Sequence, residues 1–143
     1  MDIQFLTKDS SVFTLSKFRE GDQPSLIKHI NDYDVYKYTL TIPYPYSQKD
    51  ADWWIAHNLK AYTQNERQEC WCIRHNDEVV GAIDLESSRW TPHRAEIGYW
   101  LGKQFWGQGV ISAAVKKVLQ MNKESFGYTK ITAHIYEENI ASQ

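Results

Sequence analysis

The chain has 143 residues, 42% of them hydrophobic, a size that suits one compact domain burying roughly 70% of the surface its unfolded form would expose. Its 16 basic and 18 acidic residues leave a net charge of -2, which gives no general electrostatic attraction to nucleic acid or anionic lipid. No apolar run approaches the roughly 20 residues that span a bilayer, and the N-terminus, MDIQFLTKDS, lacks a basic segment followed by an apolar one. The expected setting is cytoplasmic, with neither nucleic acid nor membrane as partner.

Val12 to Phe18 alternates apolar and polar residues and reads as a first strand after a short polar arm. Leu26, Ile27, Ile30 and Tyr33 then recur at helical spacing, with Asp22 placed to cap the start, so one or two short helices are expected between Gln23 and Tyr38. Pro43-Tyr44-Pro45-Tyr46 cannot continue a helix, because each proline lacks an N–H and biases the residue before it toward extended geometry. Ser47 with Asp50 three residues later can cap the next helix, whose Ala51, Trp54, Ile55, Asn58 and Leu59 fall on one side and which is expected to end near Thr63.

Glu69–His75 and Val79–Leu85 are strand-like runs flanking Asn76-Asp77-Glu78, a sequence suited to a tight hairpin. Ser87–His93 reads as a loop and Ala95–Leu101 as another strand. The clearest helix follows, with Ile111, Ala114, Val115, Val118 and Leu119 on its apolar stripe, Lys116, Lys117, Gln120 and Lys123 facing solvent, and Gly127 as its stop. Ile131, Ala133 and Ile135 alternate in a last strand. The order β, helices, β, β, β, helix, β defines an α+β layer in which a helix joins two strands able to lie parallel.

Cys70 and Cys72, two apart in a strand, read as packing residues, and the histidines at 29, 57, 75, 93 and 134 lack the spacing that converges ligands on a metal, so none is expected. The chemistry concentrates in Gln104-Phe105-Trp106-Gly107-Gln108-Gly109, which joins a strand to an amphipathic helix. At such a junction backbone N–H groups and the helix dipole can receive an anion, and glycines let main chain approach a phosphate. The patterns of a dinucleotide-binding fold and of a P-loop are both absent. Spacing alone leaves two readings open: an anion site, or glycines that only shape a tight turn.

Gln104-x-x-Gly107-x-Gly109 resembles the Gln/Arg-x-x-Gly-x-Gly/Ala pyrophosphate loop of the GNAT superfamily of N-acetyltransferases. Ala95-Glu96-Ile97-Gly98-Tyr99-Trp100-Leu101 is similar to the preceding strand in the RimJ/RimL-like branch, which acetylates ribosomal-protein N-termini. Pro43-Tyr44-Pro45-Tyr46 with Asp50-Ala51 and Trp54-Ile55 looks like the same branch, as does Asn139-x-Ala141-Ser142 for the segment that starts the family's next helix. The resemblance runs in order along nearly the whole chain. It implies the GNAT fold, a mixed and mostly antiparallel sheet flanked by helices, as a single domain over 1–143.

It also implies acetyl-CoA as co-substrate and no metal. The main chain of Tyr99, Trp100 and Leu101 would pair with pantetheine as a peptide adds to a strand edge, Gln104 and the N–H groups of Trp106, Gly107, Gln108, Gly109 and Val110 would hold the pyrophosphate, and Asn139 would reach the pantetheine arm, with Ser142 the weaker candidate. The reaction implied is direct attack of an amine on the thioester, a backbone N–H near Tyr99 to Leu101 stabilising the developing oxyanion. Deprotonation at pH 7 takes about 1.4 kcal/mol for an α-amine of pKa near 8 and about 4.6 for a lysine, which favours a protein N-terminal α-amine or a small amine as acceptor.

Glu96 is the first candidate for the base, directly or through water, since it shares a strand face with Gly98 and Trp100; it equally reads as a solvated strand carboxylate. Glu86 and His93 are reserves, and Tyr36, Tyr38, Tyr44, Tyr46 and Trp90 are candidate walls of an acceptor groove. Two departures from the family pattern stand out. Ala113 lies where relatives often carry Glu, and the chain stops before the last helix, with its tyrosine general acid, and the terminal strand hairpin. The expectation that follows is a C-terminally incomplete fold with an exposed last edge that a homodimer or exchanged strands would cover. The alternative function is a weak or inactive domain that retains CoA or a protein partner.

Overall fold

The computed structural model describes residues 2–39, 42–64, 70–88 and 91–132. Six strands form one sheet in the order β1-β2-β3-β4-β5-β6: Ile3–Leu6, Val12–Ser16, Cys70–His75, Glu78–Ser88, Thr91–Leu101 and Lys130–Thr132. All neighbours are antiparallel except β5 and β6, which run parallel with Glu96 opposite Thr132. A parallel pair needs a crossover, and α4, Val110–Met121, supplies it. The polar arm expected before the first strand is itself β1: Phe5 pairs with Phe13, and their rings stack at 5.9 Å. A run of four residues carries too little periodicity to stand out, and cross-strand pairing is what makes it a strand.

Apolar side chains fill both faces of the sheet. On one, α4 places Val110, Ala114 and Val118 against Leu15, Ile83, Leu85, Ile97 and Leu101. Leu119, expected on that stripe, is 43% exposed. On the other face, α1 (Gln23–Ile30), α2 (Tyr33–Tyr36) and α3 (Gln48–Gln64) cover Phe18, Cys72, Ala82 and Trp100 with Leu26, Ile30, Val35, Ala51 and Ile55. Tyr33, assigned to the apolar stripe by spacing, is exposed because a new helix starts there after Asn31 and Asp32 break the register.

The capping box is present at α3, where the Asp50 amide donates to Ser47 Oγ at 3.2 Å and Ser47 N–H donates to the Asp50 carboxylate at 2.9 Å. Asp22 does not cap α1. Its carboxylate is taken by a buried bidentate pair with Arg74, both contacts at 2.7 Å, and by the Arg19 amide at 2.8 Å. An ionised guanidinium outcompetes neutral helix amides for a buried carboxylate. Arg74 also reaches Ser16 Oγ and the Lys17 carbonyl, so this one cluster ties β2, β3 and the start of α1 together.

The hairpin turn is Asn76-Asp77, both at positive φ as a type I′ turn requires. The loop expected over Ser87–His93 is mostly strand: β4 and β5 stay paired out to Ser88 and Thr91, with a register shift at Ser87/Ser88. Polar residues on a long twisted hairpin need no core face, so composition alone mistakes them for loop. A π turn, Asn122–Phe126, follows α4 and ends at Gly127, whose N–H reaches the Asn122 carbonyl at 2.8 Å. Trp90, His134, Asn139, Ser142 and the edge on which the homodimer expectation rests lie outside the described residues.

Candidate active site

β5 feeds directly into the turn before α4, and its pairing decides which main-chain groups remain available. Gly102 N–H donates to the Val80 carbonyl at 2.7 Å, and Trp100 stands opposite Ala82. Polar groups alternate sides along an antiparallel strand, so those of Trp100 face β4 and those of Tyr99 and Leu101 face the opposite edge. Of the three residues expected to offer main chain there, Trp100 is thus committed to the sheet. The described pairing of β6 stops at Glu96, short of Tyr99.

The turn is main chain brought to a point. Lys103–Phe105 form a single 3-10 turn in which Trp106 N–H donates to the Lys103 carbonyl at 3.1 Å. Its amide is therefore engaged within the turn. The Trp106 side chain instead clamps the turn, its indole N–H donating to the Leu101 carbonyl at 2.7 Å while its ring packs near Tyr38. Gly107 and Gly109 both sit at φ +77°, a conformation L side chains rarely adopt, with nothing within 4 Å of where a Cβ would stand.

Gly109 caps α4 with no side-chain bond, and no acidic residue lies in the first helical turn. The amides of Gly107, Gln108, Gly109 and Val110 take no partner among the described residues. With the next helical amides they form a cluster of donors at the positive end of a 12-residue helix, the arrangement that receives phosphate oxygens. Gln104 is exposed; Gln108 Nε2 donates to its carbonyl at 3.2 Å and closes the turn from outside. Lys103 pairs with Asp34 of α2, and Asp34 also holds Lys37 at 3.2 Å. Lys103 beside it, then Lys37, hold the Asp34 carboxyl below the usual carboxylate range, and Asp34 in turn raises Lys103.

On the face of β5 away from α4 lies a cavity of about 470 Å³. Its floor is Ala82, Asp84 and Glu86 of β4 with Glu96, Gly98 and Trp100 of β5; its walls are Tyr38, Ile42, Tyr46, Asp50, Trp53 and Trp54. Glu96 shares the face of Gly98 and Trp100, as the strand period requires, and Glu86 stands directly opposite it. Asp84 Oδ1 accepts the Gly98 N–H at 3.0 Å, and a Cβ on residue 98 would meet that oxygen at 2.6 Å, so glycine is needed there for Asp84 to fit. Burial, then Asp50, pushes the Tyr46 phenol up to about 12.

His93 does not reach this cavity; its carbonyl holds the Thr129 amide at 2.9 Å. Of the expected aromatic walls, Tyr38 and Tyr46 line the cavity, whereas Tyr36 and Tyr44 cluster with Tyr33 in tilted and edge-on contacts at the surface. Sequence reasoning passed over Asp84, Ile42, Trp53 and Cys70 as lining residues. Asp84 alone carried a signal, a carboxylate inside the apolar run Val79–Leu85. Cys70 and Cys72 form no disulfide, and burial holds both thiols above their ordinary range, Cys72 at about 11. Among the described residues no group of three or more His, Cys, Asp or Glu side chains converges as a metal site, and no helix is long and apolar enough to cross a membrane.

A mixed sheet with a glycine turn opening a helix beside its one parallel pair is the architecture of acetyl-CoA-dependent acyltransferases. The model of the acetyltransferase (GNAT) domain family matches residues 13–143, and the chain belongs to that family, as an N-acetyltransferase by class. An uncharacterized N-acetyltransferase of Bacillus licheniformis is 30% identical over 130 residues, 90% of this chain and 72% of that protein. Another, of Bacillus subtilis, is 31% identical over 90 residues, 62% of this chain and 51% of that protein. Mycobacterium smegmatis RimJ, solved with CoA-disulfide, shares the fold at TM-score 0.79 and 18% identity, over 99% of this chain and 70% of that one. The microcin C7 self-immunity acetyltransferase MccE, solved with acetyl-CoA and AMP, does so at 0.77 and 20%, over 91% and 73%.

Proposed function

We propose that the chain transfers an acetyl group from acetyl-CoA to a primary amine, a protein N-terminal α-amine or a small amine, by direct attack. The observation that carries this reading is the set of four open amides from Gly107 to Val110 at the start of α4, reached along the same strand that floors the cavity. The pyrophosphate binds those amides, with Gln104 beside them, and the pantetheine arm runs along the edge of β5 that Tyr99 and Leu101 present. The Leu101 carbonyl retains a second lone pair beyond the one Trp106 uses. Asn139 keeps the pantetheine contact that the family resemblance implies. RimJ and MccE hold CoA-type ligands in their solved structures, which supports the choice of co-substrate.

The acceptor enters through the cavity on the other face. Glu96, directly or through water, takes the proton that the amine must lose, a task suited to a carboxylate within reach of the reacting nitrogen. The nitrogen then bonds the thioester carbonyl carbon. Charge gathers on the carbonyl oxygen, where the outward amide of Tyr99 or Leu101 stabilises it; the C–S bond breaks and CoA leaves as thiolate, protonated from solvent. The energetic argument from amine pKa makes an α-amine the easier acceptor. A sister enzyme of this fold is described as modifying the N-terminal serine of ribosomal protein L7/L12; the likeness is one of fold, and it supports an amine acceptor without selecting that protein.

Calorimetric titration with acetyl-CoA, against Gly107→Val as control, tests the donor half. Saturable binding that the variant loses is the expected result, followed by acetyl-CoA consumption when an amine is added. Absence of binding to the folded chain overturns the proposal; binding with no consumption for any amine turns it into a CoA-binding domain.

A further inference from the structure

The turn before α4 offers main-chain donors, with one charged side chain at its start. Between Gly102 and Val115, Lys103 is the only lysine, arginine or histidine, and no acidic residue stands in the first turn of α4. Amides are neutral donors, whereas acetyl-CoA brings a pyrophosphate and a ribose 3′-phosphate. A hydrogen bond from a cation to phosphate is roughly twice as strong as a neutral one. The Lys103 carbonyl accepts the Trp106 N–H at 3.1 Å, so the first open amide, that of Gly107, follows one residue on, within the sweep of a flexible four-carbon side chain.

In the structure the Lys103 ammonium pairs with the Asp34 carboxylate, and Asp34 also holds Lys37 at 3.2 Å. One carboxylate thus serves two lysines. Asp32, the neighbouring acidic group, is used as the cap of α2, where it accepts the Asp34 amide at 2.8 Å. Loss of Lys103 leaves Asp34 its second partner, Lys37, whose ammonium also lies over the Tyr38 ring at 5.1 Å. The turn does not need the ion pair for its shape. Phe105 N–H donates to the Gly102 carbonyl at 2.9 Å, the Trp106 indole holds Leu101, and the Phe105 ring is buried beside Phe13, His29 and His75. The Lys103 side chain is 55% exposed, and an ion pair in that setting contributes little in water, so a phosphate can compete for the ammonium. On the reading proposed above, we infer that Lys103 is a further donor-binding residue: acetyl-CoA draws its ammonium from Asp34 to a phosphate oxygen, and Lys37 keeps Asp34 compensated. Asp34 then acts against the donor, as a competitor for the one cation of the turn.

Calorimetric titration with acetyl-CoA at fixed ionic strength gives two variants opposite signs. Lys103→Met, which keeps the aliphatic stem, is expected to weaken binding about fivefold, and Lys103→Arg to preserve it. Asp34→Asn removes the competing carboxylate and is expected to tighten binding about threefold. A pair that only braced the turn would make Lys103→Met and Asp34→Asn both weaken binding. The inference is therefore overturned if Asp34→Asn weakens binding or leaves it unchanged, or if Lys103→Met keeps full affinity; acetyl transfer stands in either case. Dephospho-CoA then locates the contact: an effect of Lys103→Met that persists with it assigns the ammonium to the pyrophosphate, and one that disappears assigns it to the ribose 3′-phosphate. If the parent chain does not bind acetyl-CoA, acetyl transfer fails, and the same variants are titrated with inorganic pyrophosphate. Opposite signs with that probe keep Lys103 as an anion ligand, whereas no saturable binding overturns this inference as well.

Discussion

The two sides of β5 are built from different materials. The turn from Gly102 to Val110 is backbone: its donors are amides, its shape comes from two left-handed glycines, and one indole clamp holds it. The cavity on the opposite face is side chains, drawn from α3, β3, β4, β5 and the segments that precede α3. A site made of amides is nearly indifferent to side-chain replacement unless φ or the clamp is disturbed, and it suits a constant ligand. A site made of carboxylates and rings changes with each substitution, and it suits a ligand that differs between relatives.

That contrast is open to attack at several points. Glu96→Gln removes the proposed base from the cavity floor and is expected to lower kcat/KM by about 10²–10⁴, with acetyl-CoA affinity unchanged by calorimetry; a fall in affinity instead would place Glu96 on the donor side. Asp22→Ala leaves the Arg74 guanidinium buried without its carboxylate, and urea unfolding should show a loss of about 3–5 kcal/mol. A much smaller loss would mean the acceptor-side layer does not depend on that cluster.

Gly109→Val forces a branched residue to φ +77° at the helix start, and acetyl-CoA should bind about tenfold or more weakly by calorimetry while the chain stays folded by circular dichroism. Unchanged affinity would show that this turn does not hold the donor. The smallest effect concerns pH. Because the Tyr46 phenol is pushed up to about 12 in the folded chain against about 10 unfolded, the folded state prefers it protonated. Its contribution is complete below the unfolded value and is lost as pH rises through the folded one. Urea midpoints should fall less between about pH 10 and 12 in Tyr46→Phe than in the parent chain; parallel curves would assign the alkaline loss to other groups.

The legibility of the two sites in sequence follows their construction. Gly107 and Gly109 announce the turn because few residues tolerate that backbone, and the stripe of Ile111, Ala114 and Val118 announces the helix behind it. Ser47 and Asp50 likewise specify a cap locally. Trp106 was legible as part of the turn but not as its clamp, since nothing in the sequence says that its amide serves Lys103 and its indole serves Leu101. Asp22 misled for the same reason: its neighbours suggest a helix cap, and its partner is 52 positions away.

Sequence alone therefore determined the order of elements from Val12 onward, the parallel crossover, the strand face of Glu96 and the glycine turn that opens α4, because each rests on local periodicity or on backbone that few residues permit. Only the tertiary structure decided that Ile3–Leu6 is a strand, that Trp100 spends its main chain on β4, and that Glu86 confronts Glu96 above Asp84 in a cavity walled by α3. Those features depend on cross-strand register and on helices laid across a sheet, and the contacts that set them join residues distant along the chain.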